Sequence, residues 1–162
     1  MTRAALITLS TSRAEAEGRP DPSGDLLAEL AEGLGAEVAG RELLPDDRGL
    51  LRERLIHWAD DEGVDLILTT GGTGFSPSDQ TPEATAEAID RVAPGIAEAI
   101  RQEAARHTRH WALSRGAAGI RGSCLIINLP GSPKGVAEAG PVLMPILPHA
   151  LDLVAGRPSS HQ

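Results

Sequence analysis

The chain has 162 residues, 41% of them apolar, and a formal net charge of −8 at pH 7. That length and apolar share fit one globular domain with a substantial core and exclude wholesale disorder. The acidic balance, without a long basic run, excludes nucleic-acid binding through a general electrostatic surface, and no apolar run has the length that crosses a membrane.

Residues 4–9, AALITL, are a compact apolar run and read as a strand rather than a leader. After a polar loop, Leu27, Leu30, Ala31 and Leu34 fall on one helical face, and Gly33 and Gly35 mark its end. Residues 36–43 read as a second, weaker strand. LPDD (44–47) then leads into a helix carrying Leu51, Leu55, Trp58 and Ala59 on one face, stopped by Gly63. Residues 64–70, VDLILTT, are the clearest strand, and a glycine run follows. Thr81-Pro82-Glu83 predicts a helix start with Thr81 as N-cap, and Thr85, Ala88, Ile89 and Val92 continue that helix. Pro94 opens a further helix through 107. Residues 124–129, CLIINL, are a fourth buried strand, and Ser132 caps a helix with Pro133 at its first position. Leu147, Ala150, Leu151 and Val154 form the last helical face. Residues 1–156 make the domain and 157–162 a frayed tail. A single cysteine, Cys124, permits no internal disulfide and suits a reducing cytoplasm; a buried strand position is its expected place.

This alternation predicts an α/β fold, a three-layer α/β/α sandwich around a mostly parallel sheet, with right-handed crossovers sending every strand the same way. The strands are continuous apolar runs, as a sheet covered on both faces requires. The loops at residues 10–12, 44–47, 71–79 and 130–135 then share the carboxyl edge, where open α/β sheets bind ligands.

Those loops carry the chemistry. Gly71, Gly72 and Gly74 can adopt φ > 0 and admit close approach, so their N–H groups can form an anion nest beside the N-terminus of the Thr81 helix. A phosphate is the natural guest; the alternative is a tight strand-to-helix turn. The run is neither a P-loop nor a dinucleotide fingerprint. Asp79 suits Mg²⁺ beside a phosphate, or else a turn aspartate bonded to its own backbone. Asp46 suits the same metal, or else a helix N-cap. Lys134 can meet a phosphate or remain a surface lysine, and His107 and His110 read as solvated. Ser114 and Arg115 receive no role from physical chemistry alone.

LTTGGTGFSPSDQTPEAT (68–85) resembles the GGTG-x4-D-x-TPEA signature of the molybdopterin adenylyltransferase family, which includes MogA and MoaB proteins and the gephyrin G domain. LSRGAAGIRGSCLIINLPGSPKGVAEA resembles its second block, and DPSG (21–24) and LPDD resemble earlier ones, so the match covers nearly the whole chain in order. The resemblance implies molybdenum cofactor biosynthesis: Mg²⁺- and ATP-dependent adenylylation of molybdopterin with release of pyrophosphate. It places the essential, metal-holding carboxylates on Asp46 and Asp79. It places substrate and nucleotide binding on Ser10, Gly71, Gly72, Thr73, Gly74, Ser114, Pro130, Gly131 and Ser132, with Ser114 in the pterin-side pocket. It further implies a homotrimer or hexamer, and the molybdate-inserting protein of the pathway as a partner. One departure is Ser78, where many active members carry arginine before the aspartate; another is Gly116, where plant-type domains have serine. Ser78 is the feature that favours the second reading, a non-catalytic molybdopterin-binding or carrier protein of the MoaB type. A third reading is an unrelated nucleotide-binding module.

Overall fold

The computed structural model describes residues 1–158; part of the expected tail, 159–162, lies outside the described residues. The elements run β1 (Arg3–Leu9), α1 (Thr11–Ala14), α2 (Pro22–Gly33), β2 (Glu37–Leu44), α3 (Arg48–Ile56), a π-helical turn (His57–Asp61) and β3 (Leu66–Thr70). They continue with α4 (Thr81–Ala88), β4 (Arg91–Val92), α5 (Pro94–Ala104), a 3₁₀ turn (Arg109–Leu113), β5 (Ala118–Arg121), β6 (Cys124–Leu129), α6 (Pro133–Leu143) and α7 (Leu147–Val154).

One sheet of order β2-β1-β3-β6-β5-β4 carries the fold. β2, β1, β3 and β6 are parallel. Successive residues of these strands point to opposite faces, and both faces are covered. Leu6, Leu66, Leu68, Leu125 and Ile127 pack under Leu27 of α2, Ile100 of α5, Val136 and Leu143 of α6, and Leu147 of α7. Ala5, Ile7, Ile67 and Ile126 pack under Leu51 and Leu55 of α3 and Ala84 and Ala88 of α4. The three-layer reading therefore holds, and the boundary signals hold with it. Asp21 caps α2, Gly35 takes φ 70° just past its end, and Gly63 takes φ 62° after the π turn.

Three expectations are corrected. The strands do not all run the same way: β5 is antiparallel to β6, and β4 to β5. The cause is a two-residue hairpin turn at Gly122-Ser123, with Gly122 at φ 55° and Arg121 paired to Cys124. The helix beginning at residue 81 does not extend to Val92. It ends at Ala88; Ile89 turns extended (ψ 153°) and its side chain fills the space over Gly119, where an added Cβ would stand 2.5 Å from Ile89 Cδ1. Val92 lies instead in the short edge strand β4, 75% exposed. Finally, Thr81 is not the N-cap of α4. Gln80 holds that position, and the Thr81 hydroxyl donates to the Gly71 carbonyl at 2.9 Å.

Candidate active site

The chain leaves β1 for β2 on one side and returns to β3 on the other, so β1 and β3 flank a topological switch point. The glycine run after β3 is packed into that gap. Gly71 (φ 98°) and Gly72 (φ 68°) use the left-handed region that glycine alone enters without strain. A Cβ on Gly71 would sit 2.4 Å from the Leu9 carbonyl, and one on Gly72 2.3 Å from Thr81 Oγ1. Gly74 has no positive φ; it is needed for proximity, since its Cβ would stand 2.8 Å from Asp79 Oδ2. The glycines thus make room first for the protein's own atoms.

Both predicted carboxylates close on this run. Asp46 Oδ1 would lie 3.4 Å from a Cβ on Gly72. Asp46 is not the helix cap: Asp47 fills that role for α3, accepting from Leu50 N at 2.8 Å. Asp46 Oδ2 instead accepts from Thr11 N (3.2 Å) and Thr11 Oγ1 (3.0 Å), and the same hydroxyl accepts from Asp46 N at 3.0 Å. The loop after β1 therefore holds the carboxylate of the loop after β2. Asp79 is a turn aspartate as well: its Oδ2 accepts from Ser76 N (2.9 Å) and its N–H donates to Ser76 O (2.9 Å).

The remaining predicted residues lie on the other loops of this region. Ser10 caps α1, its Oγ accepting from Arg13 N at 3.4 Å. Pro130 O accepts from Thr70 Oγ1 at 2.6 Å, and Gly131 O from Ser23 Oγ at 2.8 Å. A Cβ on Gly131 would meet Gly71 Cα at 3.2 Å, so the loops after β3 and β6 touch. Ser132 caps α6 as expected, accepting from Gly135 N at 3.0 Å. Ser114, Pro130 and Ser132, with Trp111 and Lys134, line a cavity of about 330 Å³. His110 lines it too, whereas His107 is engaged by Glu103 at 3.0 Å. Lys134 keeps its surface character, with Glu138 3.8 Å away.

Arg115 was missed. Its Nε donates to Gly74 O and its Nη2 to Asp79 O, each at 2.7 Å, while its Nη1 pairs with Glu83. Its own N–H donates to Thr73 O at 2.8 Å. Arg115 beside Glu83 holds that carboxyl below the usual carboxylate range. No spacing rule links an arginine to a loop 36 residues earlier; only the crossover to the β5 edge brings them together. Cys124 is a buried strand residue, as expected, and burial pushes its thiol up to about 12.

Magnesium typically takes one or two protein carboxylates and completes its shell with substrate phosphates and water. Asp46 and Asp79 are two carboxylates packed against one glycine run, and in each the accepted hydrogen bonds fall on Oδ2.

Residues 5–149 match the family described as a probable molybdopterin binding domain. The chain is 40% identical over 142 residues to the Drosophila melanogaster molybdenum cofactor synthesis protein cinnamon, covering 85% of this chain and 23% of that protein. It is 41% identical over 115 residues to molybdopterin adenylyltransferase of Helicobacter pylori, covering 71% of this chain and 65% of that one. The chain thus spans less than two thirds of either relative. Among solved structures, MoaB of Thermus thermophilus superimposes with a TM-score of 0.90 at 49% identity, over 98% of this chain and 99% of that one. The matched span, the strand order and the glycine run at the switch point agree: the chain belongs to the molybdopterin-binding family of molybdenum cofactor biosynthesis proteins, with the MoaB and MogA fold.

Proposed function

We propose that the protein adenylylates molybdopterin, using ATP and Mg²⁺ and releasing pyrophosphate. The observation that carries this reading is the packing of Asp46 and Asp79 against one glycine run at the carboxyl edge, beside the cavity of Ser114, Pro130 and Ser132. The names of its relatives support it.

A terminal phosphate oxygen of molybdopterin attacks the α-phosphorus of ATP. The new P–O bond forms as the bond to the β-phosphate bridging oxygen breaks, and pyrophosphate leaves with that electron pair. The backbone N–H groups of the Gly71–Gly74 run meet the nucleotide phosphates as an anion nest. Ser114 and Ser132 orient the pterin partner, and Ser10 contributes from the end of β1. Asp46 and Asp79 would hold Mg²⁺, which neutralises charge on the phosphates and the leaving group. Thr11 keeps Asp46 turned to that task, and the Ser76 turn does the same for Asp79.

The working unit we propose is the domain of residues 1–156, assembled as a homotrimer or hexamer in the cytoplasm. Its product passes to a molybdate-inserting protein. Ser78 favours a second reading, a molybdopterin carrier without transferase activity: its hydroxyl stays in the loop, 3.1 Å from Ser76 Oγ, and brings no positive charge to the phosphates. Incubation with molybdopterin, ATP and Mg²⁺ separates the two. Adenylylated molybdopterin and pyrophosphate in equal amounts are expected; pterin bound but unchanged would establish the carrier.

A further inference from the structure

Within the 75–79 segment the bonds are short-range: Ser76 N donates to Asp79 Oδ2, the Ser76 and Ser78 hydroxyls lie 3.1 Å apart, and Gln80 Nε2 donates to Pro77 O, so they close a turn without tying it to the rest of the fold. Residues 75–78 are exposed, with Phe75 at 66%. The backbone bonds at this loop are Asp79 N to Ser76 O and, at its base, Thr81 N to Gly72 O at 3.1 Å. A glycine-led loop like this loses much conformational entropy on ordering. Yet Asp79 needs a fixed position to share a metal with Asp46.

Arg115 supplies the missing restraint. Its planar fork reaches Gly74 O at one end of the segment and Asp79 O at the other, and pairs with Glu83 in the first turn of α4. Three points separated along the chain are thereby held by one planar guanidinium, which a point charge cannot do with the same directionality. An ordinary surface ion pair would contribute little here and would set no backbone geometry. This one is spent chiefly on main-chain carbonyls. Arg115 is also tied to the other half of the site. Its N–H bonds Thr73 O, and the residue before it, Ser114, lines the 330 Å³ cavity. On the far side, Gly116 O accepts from Arg101 at 2.7 Å.

We propose that Arg115 is a positioning residue: it fixes the Asp79 loop for metal binding and links that loop to the cavity beside Ser114, so that both substrates' halves of the site share one register. The metal-binding part rests on the adenylylation reading; the restraint on the loop does not.

The test compares Arg115→Lys, Arg115→Met and Glu83→Gln with the parent protein. Amide hydrogen exchange of residues 75–79, read on the protein alone, should quicken by about tenfold or more in both Arg115 variants, with β3 and β6 unchanged. In turnover, kcat should fall by about tenfold or more and the half-saturating Mg²⁺ concentration should rise by about fivefold, while KM for molybdopterin stays within about twofold. Lysine should not rescue, because it keeps the charge and loses the fork. Wild-type kcat and Mg²⁺ demand in Arg115→Lys would overturn the proposal, as would unchanged exchange at 75–79. If the Arg115 variants do not fold, Glu83→Gln decides, since it leaves both carbonyl bonds and removes only the counter-charge. It should quicken exchange at 75–79 by about threefold, and no change there counts against the proposal. A parent protein that releases no pyrophosphate would refute the adenylylation reading, and the exchange result would still decide whether Arg115 holds the loop.

Discussion

The parallel half of the sheet and its antiparallel edge do different work. β1, β3 and β6 are buried almost throughout, and their carboxyl ends open into the loops that carry Ser10, Gly71–Gly74, Asp79 and Pro130–Ser132. β4 is exposed, β5 is half-buried, and the loops beside them carry no predicted carboxylate. What the edge contributes is Arg115, which reaches back to hold a loop of the other half. Chemical groups sit where parallel strands end together; the restraint on them comes from the part of the sheet that breaks the pattern.

The contrast breaks first at Asp79. Asp79→Asn keeps the size of the side chain and an acceptor for Ser76 N, but loses the negative charge proposed to hold Mg²⁺. Pyrophosphate release should fall by about a hundredfold or more, with the melting temperature nearly unchanged. Equal rates would reduce Asp79 to a turn residue, and a lost melting transition would make it structural. Truncation of the two halves comes next. Ile126→Ala in fully buried β6 should cost about 2–5 kcal/mol in denaturant unfolding. Val92→Thr, at 75% exposure in β4, should stay within about 0.5 kcal/mol. Similar costs at both positions would remove the distinction between core and edge.

How far the sequence reveals this division follows from the range of each signal. Period and punctuation are local, so the buried strands, Gly35, Gly63 and the Ser132 cap were all legible. The hairpin was missed although Gly122-Ser123 is a turn signal, because AGIR is short and half-buried and the pattern of the preceding strands suggested another crossover. Val92 was assigned to a helix because an apolar residue at helical spacing looks the same whether or not the helix has already ended. Asp46 and Asp79 were found as candidates, but not their supports. Thr11 and Arg115 act across 35 and 36 residues, and such pairings exist only once the strand order is known. Thr81 looked like a cap because Pro82 follows it; its hydroxyl is instead used to fasten the glycine run.

Smaller effects sharpen the comparison. Gly71→Ala meets both a φ of 98° and the Leu9 carbonyl, and should cost about 2 kcal/mol or more. Gly95→Ala in α5 meets nothing within 4 Å, and should stabilise the fold by up to about 1 kcal/mol. Calorimetry that ranked the two alike would show the glycine run to be less constrained than its geometry indicates. The Glu83 carboxyl, held low by Arg115, gives a pH signature. A depressed folded value adds stability that is complete above the unfolded carboxyl pKa and is lost as pH falls through the folded value. Melting temperature should therefore decline on acidification below the usual carboxylate range, and Glu83→Gln should remove part of that slope. An identical acid profile in the variant would separate Glu83 from the clamp.

The most direct measurement follows the phosphorus atoms. With ATP labelled at the α-phosphorus, together with Mg²⁺ and molybdopterin, the label should appear in the pterin product; with ATP labelled at the γ-phosphorus, it should appear in pyrophosphate alone. The account predicts both results for the parent protein and neither for Asp46→Asn. Transfer of the γ-label to the pterin, or no transfer of either label by a parent protein that binds molybdopterin, would contradict it.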